Sequence, residues 1–245
     1  MDILKRIHQH SLSHPDRPAV ISGEYTLTWK DLDLLSGRLA AHLEDLCGSK
    51  HAPVAVYGHK NPLMLICFLA CVRSGRAYCP IDISVPDNRT QRILYQMDSP
   101  VVLATEPLSC DCRTKALLDL DKITALLKEE LPVLPEEAAV SGDDTYYIIF
   151  TSGSTGTPKG VQITADCLNH YLDWSVTLGT SPADKEGRVF LNQAPFSFDL
   201  SVMDLYTCLA SGGTLFCLPK DVQGDYRQLL SYLERSGAEI WVSTP

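Results

Sequence analysis

The stretch Tyr147-Ile148-Ile149-Phe150-Thr151-Ser152-Gly153-Ser154-Thr155-Gly156-Thr157-Pro158-Lys159-Gly160 joins an apolar, β-branched run to a loop of hydroxyls, glycines and one lysine. The apolar half has the composition of a buried strand. The polar half places donors where that strand ends: the hydroxyls of Thr151, Ser152, Ser154 and Thr155, and the ammonium of Lys159. Gly153, Gly156 and Gly160 lack a Cβ, so their backbone can take positive φ and turn N–H groups toward an anion. A plain hairpin turn requires neither four hydroxyls nor a lysine. The stretch reads as a strand that delivers a phosphate-binding loop.

Two common loops are excluded by residue order. A P-loop ends Gly-Lys-Ser/Thr, with the last hydroxyl on magnesium; here Pro158 precedes Lys159 and Gly160 follows it. A nucleophile elbow needs glycine two residues before its serine, and Ser152 occupies that position before Ser154.

Outward from this loop, short apolar runs alternate with helical periodicity. Strands are expected at 19–22, 25–28, 54–57, 78–81, 101–104, 161–164, 189–191, 214–218 and 240–243. The first two form a hairpin across Gly23-Glu24. Thr28 caps a helix that carries Leu32, Leu35, Leu39, Leu43 and Leu46 on one face, while Pro62 and Pro86 open two more. Further helices are expected around 123–127, 202–209 and 226–235, and one passes through Tyr171 and Trp174. Strands alternating with helices predict an α/β fold of largely parallel sheets flanked by helices. No repeat, low-complexity tract or linker divides the chain.

Composition narrows the function. A hydrophobic content of 45% with 21% charged residues is that of a globular chain of 245 residues. A formal charge of −9 argues against nucleic acid or an anionic membrane as partner. It also requires any phosphate site to be locally positive. The longest apolar run, 63–72, falls short of the about 20 residues that span a bilayer. Asp2, Lys5 and Arg6 interrupt the first apolar residues, so no secretory leader is read and a cytoplasmic location is expected. Nine cysteines include no C-x-x-C pair; Cys67 and Cys71 lie four apart on an apolar helix, as packed thiols do. His8, His10 and His14 on the first helix are read as a solvated or interfacial face, and no metal site is assigned.

The loop resembles, nearly residue for residue, the signature loop of the adenylate-forming (AMP-binding) superfamily, which includes acyl-CoA synthetases, luciferases and the adenylation domains of peptide synthetases. The resemblance implies that Thr151, Ser152, Gly153, Ser154, Thr155, Gly156 and Lys159 bind the ATP phosphates, with Mg2+ offsetting their charge. Leu27-Thr28-Trp29-Lys30-Asp31-Leu32 and Arg73-Ser74-Gly75-Arg76-Ala77-Tyr78-Cys79-Pro80-Ile81-Asp82 are similar to two structural core motifs of the family. In the second, Cys79 stands where valine or isoleucine is commoner, and Pro80 is read as shaping the strand end.

Asn192-Gln193-Ala194-Pro195-Phe196-Ser197-Phe198-Asp199-Leu200-Ser201 resembles the substrate-pocket motif of amino-acid-activating members. There the aspartate, here Asp199, pairs with the substrate α-ammonium. The same residue also has the type and place of a helix cap, so both readings stand at this point. The run 190–206, with Tyr57-Gly58-His59 and Trp241-Val242-Ser243-Thr244-Pro245, is most similar to members that activate D-alanine and load it onto the phosphopantetheine thiol of a small carrier protein, for D-alanylation of lipoteichoic acid in the cell wall.

In that family the sequence continues well beyond Pro245. The resemblance therefore implies that 1–245 is an incomplete N-terminal AMP-binding domain, without the C-terminal domain. The adenine and ribose contacts and the catalytic lysine are expected beyond Pro245, and the segment alone is expected to be inactive. Two alternatives stand beside D-alanine activation: a peptide-synthetase module for another amino acid, and a non-catalytic truncated product.

Overall fold

A computed structural model of the chain describes residues 2–48, 52–131, 133–152, 157–179 and 186–244. It divides into two compact units, Met1–Asp33 with Asn169–Pro245, and Leu34–Leu168. Both divisions fall inside helices, at 33/34 and 168/169. A boundary buried in helical periodicity has no Pro- or Gly-rich signature, which is why no linker is visible in the sequence.

The unit formed by 34–168 is built on a six-stranded sheet in the order β6-β5-β3-β4-β7-β8. Its strands are β3 (Val54–Gly58), β4 (Tyr78–Asp82), β5 (Val101–Ala104), β6 (Ala116–Leu118), β7 (Thr145–Ser152) and β8 (Pro158–Thr164). All neighbours are parallel except β7 and β8. Every residue of β3, β4 and β5 is buried, which explains the apolar runs 54–57, 78–81 and 101–104: a parallel strand covered on both faces has no solvent side to mark with polar residues. Helix α3 (Leu63–Arg73) is buried along 64–72, and burial pushes the thiols of its Cys67 and Cys71 well up. These are packing residues. Pro62 and Pro86 precede α3 and α4 (Asp87–Met97), as expected of proline beside a helix start.

Pro80 sits at the centre of β4, not at its end. The β3–β4 ladder runs through it, with Val56 opposite Pro80, so the donor that proline lacks faces β7. Accordingly β4 meets β7 at Tyr78↔Tyr147 and the pairing goes no further. The proline that a central strand rarely tolerates is thus accommodated by leaving the carboxyl half of β7 unladdered on that side.

The other unit carries a five-stranded sheet, β11-β9-β10-β1-β2. The hairpin of β1 (Pro18–Ser22) and β2 (Tyr25–Thr28) is antiparallel, while β10 (Thr214–Cys217) is parallel to β1 and to β9 (Val189–Asn192). A short β11 (Ile240–Trp241) pairs with β9 in parallel. Helix α7 (Leu200–Ser211) connects β9 to β10. Helices α1 (Ile3–Ser13), α6 (Ala165–Ser175) and α8 (Tyr226–Ser236) and the long α2 (Trp29–Cys47), with α5 (Leu120–Leu126), complete the described α-helices. Thr28 caps α2 as its sequence predicts, accepting from the Asp31 N–H at 3.1 Å. Leu46, expected on the apolar face, is instead exposed. Nor do the histidines of α1 share one environment: His8 bonds Asp33 at 2.9 Å, His14 lies 3.5 Å from Glu186, and His10 packs against Trp29 with rings 5.0 Å apart. Burial holds His10 below its ordinary pKa. No helix among the described residues is long and apolar enough to cross a membrane.

The residue following Tyr57 must be glycine, because a Cβ at Gly58 would stand 2.0 Å from Thr105 Oγ1. Replacing Gly58→Ala is expected to destabilise the fold by about 1–3 kcal/mol through overpacking. Urea denaturation should show most of that loss restored when Thr105→Ala is added; an unaltered midpoint in the single variant would contradict the close approach.

Candidate functional site

Residues pointing to chemistry lie at the carboxyl ends of parallel strands, the edge at which open α/β sheets receive ligands. At the end of β7, Thr151 and Ser152 are exposed. Strand β8 returns antiparallel, with Thr151 opposite Lys159 and Ser152 opposite Pro158. Lys159 therefore belongs to a strand, because β8 starts at Pro158, three residues before its expected start. Proline and glycine mark Pro158-Lys159-Gly160 as a loop by composition, but an edge strand can admit both. Pairing with Thr151 gains the site a fixed address for the ammonium, since directly opposed side chains share one sheet face. The Thr151 hydroxyl reaches the Lys159 carbonyl only at 3.5 Å, which leaves it available to a ligand. Lys159 is exposed and has no ion-pair partner among the described residues.

Gly160 has a different role from the one its sequence suggests. Its φ is not positive. A Cβ there would lie 3.0 Å from Ile148 and 3.1 Å from Phe150, so the missing side chain lets β8 close on β7. Gly153, Ser154, Thr155 and Gly156 lie outside the described residues.

Two neighbouring strands of the same sheet add a pair the sequence reading does not identify. His59 Nδ1, just after β3, is 2.6 Å from Asp82 Oδ2 at the end of β4, and both side chains are buried. The other carboxylate oxygen accepts from the Ser84 N–H at 2.9 Å and the Ser84 hydroxyl at 2.6 Å. Burial alone would raise the Asp82 pKa, but the bonds from His59 and Ser84 together hold it below the ordinary carboxylate value. Nothing in linear spacing could pair 59 with 82; the register Gly58↔Asp82 does.

In the other unit, the segment after β9 carries Asp199, the residue preceding α7. Asp2, Asp119 and Asp225 stand before α1, α5 and α8 in extended backbone and accept helix N–H bonds with their side chains. Asp199 does not. Its φ −59° and ψ −32° are already helical, it makes no capping bond, and it is exposed. An N-cap side chain reaches back only from non-helical backbone, so the cap reading is overturned and the carboxylate faces solvent. The segment beneath it is fixed. Phe196 is buried, and the Ser201 hydroxyl donates to the Phe198 carbonyl at 2.7 Å. The Asn192 amide donates to Asp204 Oδ2 at 2.8 Å in the interior.

This arrangement offers hydroxyls and an ammonium to an anion in one unit and a carboxylate to a cation in the other. The family described as AMP-binding enzyme matches residues 7–245. Among curated proteins, a D-alanine–D-alanyl carrier protein ligase of Bacillus licheniformis is 41% identical over 245 residues, covering 100% of this chain and 48% of that protein. One of the same name from Bacillus thuringiensis is 39% identical over 249 residues with the same coverage. The chain thus spans about half the length of the curated relatives it matches. Among solved structures, a Klebsiella oxytoca NpsA N-terminal subdomain in complex with 3-hydroxybenzoyl-AMSN superposes with a TM-score of 0.75 at 25% identity, over 93% of this chain and 57% of that one. The nonribosomal peptide synthetase FmoA3, in an alpha-methyl-L-serine-AMP bound form, gives 0.86 at 22% identity, over 100% of this chain and 26% of that one, a likeness of fold.

The His59–Asp82–Ser84 chain makes a pH prediction. Because Asp82 titrates below the ordinary 3.8 in the folded state, its contribution is fully present above that value and is lost as pH falls through the lowered pKa. Asp82→Asn should cost about 1–3 kcal/mol at neutral pH and flatten the acid limb of the stability curve. Denaturant titrations at successive pH values check both; an acid limb as steep as that of the unsubstituted protein would exclude Asp82 as its source.

Proposed function

We propose, for a chain that belongs to the AMP-binding enzyme family, that it forms the N-terminal portion of a ligase activating D-alanine with ATP. In this reading residues 1–245 are the front part of an AMP-binding domain. The substrate carboxylate attacks the α-phosphate, forming the aminoacyl-adenylate and expelling pyrophosphate. The phosphopantetheine thiol of a carrier protein then takes the aminoacyl group and releases AMP. Thr151, Ser152 and Lys159 bind the triphosphate by hydrogen bonds and charge, together with Gly153, Ser154, Thr155 and Gly156. Catalysis of this kind consists of positioning and charge stabilisation. Mg2+, bound together with ATP, would offset the charge of the triphosphate; among the described residues no group of three His, Cys, Asp or Glu could hold a metal ion.

One observation carries the amino-acid part of the reading: Asp199 stands at a helix start without capping it. A carboxylate held on a fixed segment and left free of structural bonds suits a primary ammonium, with which it forms a charge-assisted hydrogen bond. The relatives named D-alanine–D-alanyl carrier protein ligase support D-alanine as the substrate and a carrier protein as the acceptor.

ATP–pyrophosphate exchange by the full-length protein, across a panel of amino acids, tests the proposal. D-alanine should give the fastest exchange; a clear preference for another amino acid would reassign the enzyme to that substrate. Asp199→Asn should raise the D-alanine constant by about 1–3 kcal/mol, roughly 5- to 150-fold, with little change for ATP. Lys159→Ala should do the reverse, weakening ATP by a similar factor while sparing D-alanine. If both variants behave like the unsubstituted enzyme, neither side chain meets a substrate and the proposal fails.

A further inference from the structure

Asn192 closes β9 and Asp204 lies on α7, and both side chains are buried to within about a hundredth of their surface, at 0% and 1% exposure. Their bond, Nδ2 to Oδ2 at 2.8 Å, is made in the interior. Burying a carboxylate carries a large desolvation penalty, and an apolar pair of equal volume would hold a helix on a sheet at least as well. What a directional bond adds is a defined geometry. Here it ties the last residue of a strand to a helix, and the segment between them carries Asp199. Asp204 lies on the same helical face as Leu200, four residues before it, and Leu200 immediately follows Asp199. The bond therefore sets the distance and rotation of the helix start relative to the strand end. The plug of Phe196 and the Ser201 hydroxyl then leave the Asp199 backbone little freedom.

We infer that Asn192 and Asp204 are positioning residues for Asp199, holding its carboxylate in the direction from which it meets the substrate ammonium. The inference rests on the proposed amino-acid activation. It assigns to a buried pair, remote from solvent, a share of substrate selection: loosening the pair lets the Asp199 carboxylate swing, so recognition of the amine weakens while the triphosphate contacts, made by other residues, are untouched.

The experiment is pyrophosphate exchange by the full-length protein carrying Asn192→Ala, the near-isosteric Asp204→Asn, the exchange Asn192→Asp with Asp204→Asn, and Asp199→Asn. The first two variants should raise the D-alanine constant by about tenfold and leave the ATP constant within about twofold, a split that a merely structural role would not produce. The exchanged pair, with donor and acceptor reversed, should recover most of the loss. Adding Asn192→Ala to Asp199→Asn should cost nothing more, because the group it positions is already disabled. Equal rises in both constants, or failure of both single variants to fold, would make the pair a stability element and overturn the inference. If Asp199→Asn raises the D-alanine constant while Asn192→Ala and Asp204→Asn do not, the inference falls and the proposed function stands. If Asp199→Asn is silent, the proposed role of Asp199 falls and the inference with it.

Discussion

A parallel sheet has a polarity that an antiparallel one lacks, and both units of this chain depend on it. When each strand is followed by a helix that carries the chain back, every carboxyl end emerges at the same edge. In the unit of 34–168 that edge collects His59 after β3, Asp82 at the end of β4 and Thr151 and Ser152 at the end of β7. In the other unit the carboxyl end of β9 issues the segment that bears Asp199. Residues far apart in sequence become neighbours because strand direction is conserved, and no individual side chain has to bring them there. The price is dry strands: β3, β4 and β5 have no exposed residue, so their backbone donors must find partners within the protein, as when the Ala55 N–H donates to the Ser99 hydroxyl.

The deviations from this regular pattern occur near the candidate phosphate site. Pro80 withholds one donor from the β7 side, and β8 runs against the direction of the other strands. Both loosen β7 from its neighbours at one place and bind it at another. Its carboxyl half is released from β4 but held by a long antiparallel ladder to β8, with pairs from Thr145↔Thr164 to Ser152↔Pro158. The result is a hairpin arm whose base is buried and whose end is solvated. A ladder that reaches Ser152 fixes the orientation of Thr151 and Lys159 before any ligand arrives, which is the preorganisation that charge stabilisation needs.

Much of this was legible because buried parallel strands and proline-marked helix starts leave strong local signals. The runs at 25–28 and 101–104 match β2 and β5 end to end, and Pro62 and Pro86 mark α3 and α4. The misses have physical causes. Strand β6 is three residues long, Ala116–Leu118, too short for any periodicity to register. The beginning of β8 was hidden by Pro158 and Gly160, whose breaker character is overridden by pairing with β7. In the sequence Gly160 suggests backbone freedom, but its use is room for Ile148 and Phe150. For Asp199 the residue type suited a cap, and only backbone angles could show that it is not one. Fold class follows from composition along each segment; the site depends on register and dihedrals, which composition does not encode.

Register also explains why two of the buried polar pairs are found where strands end. His59–Asp82 and Asn192–Asp204 each join a residue at or just beyond a strand terminus to a separate element. Inside a strand, the ladder already fixes the backbone, and a buried polar side chain would add desolvation without adding order. At the terminus the ladder stops, and a loop begins whose course apolar contacts alone define poorly. A hydrogen bond has direction as well as distance, so one such bond at the exit removes freedom that several methyl contacts would leave. In these two pairs the chain places costly buried polar groups at the exits to the segments that carry its candidate chemistry.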